Sequence, residues 1–102
     1  MIYEINITRR ALADMEAIYE YIAYDLMAPA NALAQYDRIA EAILKLEEFP
    51  ERFRLVQFEK GRSIGLRQMI VDHYSVFYLI KENQVVVTNV LYSASDLEKR
   101  LQ

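Results

Sequence analysis

The hydrophobic period of this chain changes once, near Pro50, and that change limits the possible folds more than any single motif does. Ahead of it, apolar residues recur at helical spacing. Behind it, Val, Ile, Phe and Tyr crowd into short runs of strand character. A chain of 102 residues can bury one modest core, and 54% hydrophobic content is enough to fill it. Residues 1–102 therefore read as a single domain. Helices and strands are segregated along it rather than alternating, which is the mark of an α+β fold.

The helical part is two stripes. Ala11, Met15, Ile18 and Ile22 recur at helical spacing, widened by Leu12, Tyr19 and Leu26, with Asp14, Glu16 and Glu20 on the other side. This predicts an amphipathic helix over about residues 9–25, with Thr8 as its N-cap. Pro29 cannot continue that helix but suits the first turn of another. Ala32, Leu33, Tyr36, Ile39, Ala40, Ile43 and Leu46 then predict a second helix over residues 30–48, ended by Pro50. A short link between two such helices makes an antiparallel hairpin.

The rest predicts strands. IYEINI (2–7) alternates as a short opening strand, and 53–58 reads as another. Gly61 and Gly65 mark a turn. Residues 66–72, 75–81 and 84–92 form a meander joined at Asp72-His73 and Glu82-Asn83. Ser95 is placed to cap a last short helix, 96–101. A sheet with one apolar face needs cover, so the expected architecture is a helical hairpin packed on a small, twisted, mainly antiparallel sheet, in the order β-α-α-β-β-β-α. Ile18, Ile22, Tyr36, Ile43, Val76, Tyr78, Val86 and Val90 are the expected core.

Charge is distributed unevenly. Between Phe49 and Arg67, the basic residues Arg52, Arg54, Lys60, Arg62 and Arg67 face Glu51 and Glu59, so this junction carries +3 in a chain of net charge −3. From Ala11 to Glu48, eight carboxylates face Arg38 and Lys45. The overall acidity excludes a general nucleic-acid binder, and any such role is local. A basic junction is a candidate contact for phosphates or an acidic partner, and the same residues also compose an ordinary solvated face. No cysteine is present, which removes disulfides and thiol chemistry and fits a reducing cytoplasm. The opening MIYEINITRR lacks a secretory apolar run, and no apolar stretch approaches the roughly 20 residues that span a bilayer. No metal-ligand spacing, nucleotide loop or Ser-His-Asp arrangement is visible, so neither cofactor nor metal is expected.

Several stretches together carry a family pattern. They are A-L-A-D-M-E-A-I-Y-E-Y-I-A (11–23), P-A-N-A (29–32), A-I-L-K-L-E-E-F-P-E-R (42–52), G-L-R-Q-M-I-V-D-H-Y-S-V-F-Y-L-I (65–80) and V-L-Y-S-A-S-D-L-E-K-R-L (90–101). In this order and spacing they resemble the RelE/ParE toxins, with the ending closer to the ParE branch. The resemblance implies the toxin half of a bacterial type II toxin–antitoxin pair of plasmid-stabilisation type, located in the cytoplasm. It implies a cognate antitoxin as partner and, for the ParE branch, inhibition of DNA gyrase. The alternatives within the resemblance are a RelE-like ribosome-dependent endoribonuclease acting on messenger RNA, and a member that keeps the fold without toxicity.

The resemblance also implies where each chemistry would sit. An RNase must activate a 2′-OH, protonate a leaving oxygen and stabilise a phosphorane. RelE-like enzymes do so with Lys and Arg on the sheet face and a tyrosine near the C-terminus. Arg67 falls where one such basic group is expected, but Met69, Ser75 and Ser93-Ala94-Ser95 stand where others are typical. If the chain cleaves RNA, the catalytic candidates are Arg67, His73 and Tyr92. His73 reads first as an exposed turn residue and Tyr92 first as a strand-end aromatic with its hydroxyl in water, while Arg67 also reads as the partner of a helix carboxylate. If it acts by binding, Arg52, Arg54, Arg62 and Arg67 are the expected contacts with target or antitoxin. Phe53 and Phe58, interleaved with these arginines, suit base stacking or the anchoring of a loop.

Overall fold

A computed structural model describes residues 2–101. Strand β1 (Glu4–Ile7) leads into helix α1 (Arg9–Glu20), which runs on through a π-helical turn, Tyr21–Asp25. Helix α2 (Pro29–Leu44) returns antiparallel to it. After 3-10 turns at Lys45–Glu47 and Pro50–Arg52 come a short helix α3 (Glu59–Ser63), strands β2 (Arg67–Val71), β3 (Tyr74–Lys81) and β4 (Gln84–Tyr92), and a terminal helix α4 (Leu97–Arg100). Among the described residues no helix is long and apolar enough to cross a membrane.

Thr8 joins helix and sheet. Its hydroxyl accepts from the Ala11 amide at 3.1 Å, capping α1, and donates to the Val87 carbonyl at 2.8 Å. Pro29 occupies the first turn of α2. The sheet order is β1-β4-β3-β2. β2, β3 and β4 form the expected antiparallel meander, but β1 pairs parallel to β4, so the sheet is mixed. The helical hairpin covers one face: Ala11, Met15, Ile39, Ile43 and Leu46 bury themselves against Met69, Val76, Tyr78, Val85, Val87 and Val90.

Four expectations need correction. Val86 does not join this core. In the β3–β4 pairing Tyr78 meets Val87 while Phe77 meets Asn89, so Thr88 is an extra residue, a bulge. The bulge shifts the alternation, turning Val85, Val87 and Val90 to the helices and Val86 to the other face. The second helix stops at Leu44 rather than 48, and Phe49 takes a left-handed conformation (φ 49°) before Pro50. Residues 53–58 do not form a strand. They follow the edge of β2 through one bridge, Leu55 to Arg67, and the stretch around Gly61 is helix α3, not a bare turn. Asp96, not Ser95, caps the last helix, while the Ser95 hydroxyl donates to the Tyr92 carbonyl at 2.6 Å.

The second face of the sheet has a smaller cover. Val56, Leu66, Phe77 and Leu91 are buried there, packed by Phe58, Leu79, Leu97 and Leu101. Gly61 makes this approach possible: a Cβ on it would stand 2.6 Å from the Phe58 ring and 2.6 Å from a Val56 methyl. Phe58 thus anchors the loop rather than presenting a free ring.

Candidate functional site

The basic junction folds around backbone carbonyls. A left-handed residue followed by proline interrupts regular backbone pairing here, and side chains donate to the carbonyls of Glu48, Phe49, Pro50, Glu51 and Phe53, of which Phe49 also accepts from the Arg52 amide of the 3-10 turn. The Arg67 guanidinium donates to the Phe53 carbonyl at 2.7 Å and to the Glu51 carbonyl at 3.1 Å. The Tyr78 hydroxyl, buried beneath, donates to the Pro50 carbonyl at 2.6 Å. Burial pushes the Tyr78 phenol up to about 12. Arg52 donates to the carbonyls of Glu48 and Phe49 and lies 4.9 Å from the centre of the Phe53 ring. Two of the four candidate arginines are therefore built into the loop. Arg54 and Arg62 are exposed and directed to solvent.

Between this loop and the second sheet face lies an open groove of about 820 Å³. Arg52, Phe53 and Arg54 form one wall, Gln68, Ile70 and Phe77 the floor, and Leu97 of α4 the far side. Sequence reasoning missed Gln68, Ile70 and Leu97. The alternation on β2 did place Gln68 and Ile70 on one face, but nothing in the pattern said that this face would be only half covered. Ile70 remains 65% exposed.

A polar ladder crosses the three antiparallel strands on this face. The Gln68 amide donates to the Ser75 hydroxyl at 2.9 Å, and the Ser75 and Ser93 hydroxyls are 2.7 Å apart. Ser75 is fully buried, so this ladder satisfies it without water. It carries no charge.

The three residues named for an RNase are not gathered. Arg67 pairs with Tyr78 on β3, whereas Tyr92 pairs with Tyr74. Those β3 positions are four residues apart, about 13 Å along a strand. Arg67 also turns to the loop carbonyls instead of a helix carboxylate. His73 is exposed in the β2–β3 turn, and its carbonyl accepts from the Ser93 amide at 2.8 Å. Tyr92 packs edge-on against Tyr74, ring centres 5.9 Å apart, and burial raises the Tyr74 phenol above its ordinary value.

Asp72, next to His73, is tied to α2. It accepts from Arg38 at 2.8 Å and from Gln35 at 3.0 Å, and these bonds hold its carboxyl below the usual range. Among the described residues no group of three His, Asp or Glu could hold a metal ion. The arrangement is one of shape and hydrogen bonding: a half-apolar groove with exposed Arg54 in its wall, while Arg62 is exposed on α3 outside the lining.

The comparisons with known proteins agree with this fold. The family model for the ParE toxin of the type II toxin–antitoxin system parDE matches residues 5–97. Among solved structures, the chain is similar to the chromosomal ParDE system from P. aeruginosa, with 20% identity, 89% of this chain and 96% of that one covered, and a TM-score of 0.73. It is similar to the RelBE2 toxin–antitoxin complex from Mycobacterium tuberculosis, with 19% identity, coverage of 90% and 99%, and a TM-score of 0.64. It is also similar to a mutant of the E. coli toxin RelE in the free state, with 14% identity, full coverage of both chains and a TM-score of 0.63. At these identities the structural likeness is one of fold. No protein of curated function matches the chain. The family match runs from β1 to the start of α4, and on that ground the chain belongs to the ParE toxin family of type II toxin–antitoxin systems.

Proposed function

We propose that this protein is a toxin that acts by binding DNA gyrase in the cytoplasm, without cutting nucleic acid, and that a cognate antitoxin neutralises it. The observation that carries this reading is the uncharged ladder of Gln68, Ser75 and Ser93 across the open sheet face. A ribonuclease on this fold would need cations there to stabilise a phosphorane, and losing a single stabilising donor can already cost about 10²–10³ in rate. The nearest candidate, Arg67, is engaged by the carbonyls of Glu51 and Phe53. Exposed Arg54 in the wall of a half-apolar groove, with Arg62 exposed on α3, suits contact with a protein surface.

The antitoxin follows from the relatives. The ParDE and RelBE2 structures are toxin–antitoxin systems. An antitoxin segment that folds on the toxin would cover the groove and stabilise the folded state, by about 2.7 kcal/mol at a concentration 100-fold above its Kd.

Expression of the chain in a bacterial host tests the reading. Growth arrest with DNA-damage signalling and intact messenger RNA supports it. Arrest with codon-phased cleavage of ribosome-bound messages overturns it in favour of the nuclease. Co-expression with a small antitoxin gene adjacent to the toxin gene should restore growth and yield one co-eluting complex, and two separately eluting proteins contradict the antitoxin arm.

A further inference from the structure

Away from the junction, the outer crease of the α1–α2 hairpin holds a recess of about 440 Å³, lined by Glu16, Tyr19, Glu20, Tyr24, Leu33 and Tyr36. Helical spacing assembles it. Glu16, Tyr19 and Glu20 stand at i, i+3 and i+4 on one face of α1, and Leu33 and Tyr36 stand at i and i+3 on α2. Tyr19 and Tyr36 form a half-buried floor, edge to face, with ring centres 6.3 Å apart and planes at 89°. The rim stays in water: Tyr24 is 71% exposed and Leu33 55%. Tyr24 reaches the rim from the π-helical turn that ends the first helix, and such turns are frequent at functional sites.

The chemistry of this lining selects its occupant. Among the described residues Glu16 and Glu20 pair with no cation, the one ion pair there joining Arg38 and Asp72. From Ala11 to Glu48 the hairpin carries eight carboxylates against Arg38 and Lys45, and Arg38 is already held by that pair. An acidic segment would be repelled here. A purely apolar one would strip water from two carboxylates and return nothing to them. A guanidinium matches both parts of the lining. It is planar, stacks on tyrosine rings, and donates to carboxylates in a fixed fork. Leu33 offers an apolar contact beside it.

We propose that this recess docks an arginine side chain of a partner protein, presented beside an apolar residue that covers Leu33. The site lies outside the junction groove, and the proposal is independent of whether the cellular target is gyrase.

The test uses the whole folded chain and a short blocked helical peptide with arginine and leucine four residues apart. Its control is the same peptide with citrulline, which keeps the shape of arginine and removes the charge. Tyrosine-ring resonances are followed by NMR. The ring signals of Tyr19, Tyr24 and Tyr36 should shift, and the arginine peptide should bind about tenfold more tightly than its twin. The double variant Glu16→Gln/Glu20→Gln should lose that advantage while its unfolding midpoint stays unchanged, since both positions are exposed. Tyr24→Leu, at another exposed position, should reduce it severalfold. No shift of these rings, equal affinity for the citrulline twin, or an arginine preference that survives both variants overturns the proposal.

Discussion

Arg67 and Tyr78 stand opposite each other across the β2–β3 pair and hold the same loop from below. The Tyr78 hydroxyl donates to the Pro50 carbonyl at 2.6 Å, and the Arg67 guanidinium to the Phe53 carbonyl at 2.7 Å. Between them they position the wall of the groove in which Arg52 and Arg54 sit. Arg67 is thus a positioning residue for that loop.

The first prediction follows from that pair. Tyr78→Phe leaves the Pro50 carbonyl without a partner in the interior and should cost about 1–3 kcal/mol. Arg67→Ala, at a partly exposed position, should cost about 1–2 kcal/mol. Both changes release one loop, so the double variant should lose less than the two costs added together. Urea unfolding of the four proteins measures this, and strict additivity would show that the two residues hold separate structures.

Gly61 tests the packing of the second sheet face. Alanine is ordinarily the better helix former, by about 0.5–1 kcal/mol. Here its methyl would meet the Phe58 ring and a Val56 methyl, each at 2.6 Å. Overpacking of this kind costs about 1–3 kcal/mol, and Val56 is buried and β-branched, with little room to turn away. Gly61→Ala should therefore destabilise the protein, and a raised melting temperature would contradict the contact.

Two aspartates predict opposite pH slopes. Past Ile7, β4 has no strand on its outer side, and Asp14 of α1 supplies the missing acceptor to the Val90 amide at 2.9 Å. Burial holds the Asp14 carboxyl above the ordinary aspartate range, outweighing that hydrogen bond and the nearby Arg10 and Arg100. The folded chain then keeps this proton more tightly than the unfolded chain. The contribution of Asp14 to stability falls as pH rises through the window just above that range. Asp72, held below the range by Arg38 first and Gln35 second, contributes stability that is present above the ordinary range and lost as pH falls through its lowered value. In urea unfolding at stepped pH, Asp14→Asn should flatten the first slope and Asp72→Asn the second. Asp14→Ala should cost about 1–3 kcal/mol, because the Val90 amide loses its acceptor. Unchanged slopes in both Asn variants would refute these environments.

Much of this fold was legible because hydrophobic period is a local property. Thr8, Pro29 and the Ile18, Ile22 and Ile43 positions announce two helices, and runs such as SVFYLI announce strands. What escaped is non-local or rests on one residue. The Thr88 bulge moves Val86 off the core face, and no alternation pattern shows an insertion of one. The parallel pairing of β1 depends on strands 80 residues apart. Gly61 reads as a turn because glycine usually signals one, whereas the fold uses its missing side chain. At the site, the arginines were visible but their partners were not, since Arg52 and Arg67 bond to backbone carbonyls that carry no sequence signature.

The central claim is that the chain poisons by binding gyrase rather than by cutting RNA. The most direct measurement is supercoiling of relaxed plasmid by purified gyrase in the presence of the purified chain. Supercoiling should fall as the chain is added, recover when the cognate antitoxin is supplied, and be inhibited less by a chain carrying Arg54→Ala and Arg62→Ala. Undiminished supercoiling at saturating chain, beside codon-phased cleavage of ribosome-bound messenger RNA that disappears in Arg67→Ala, would contradict it.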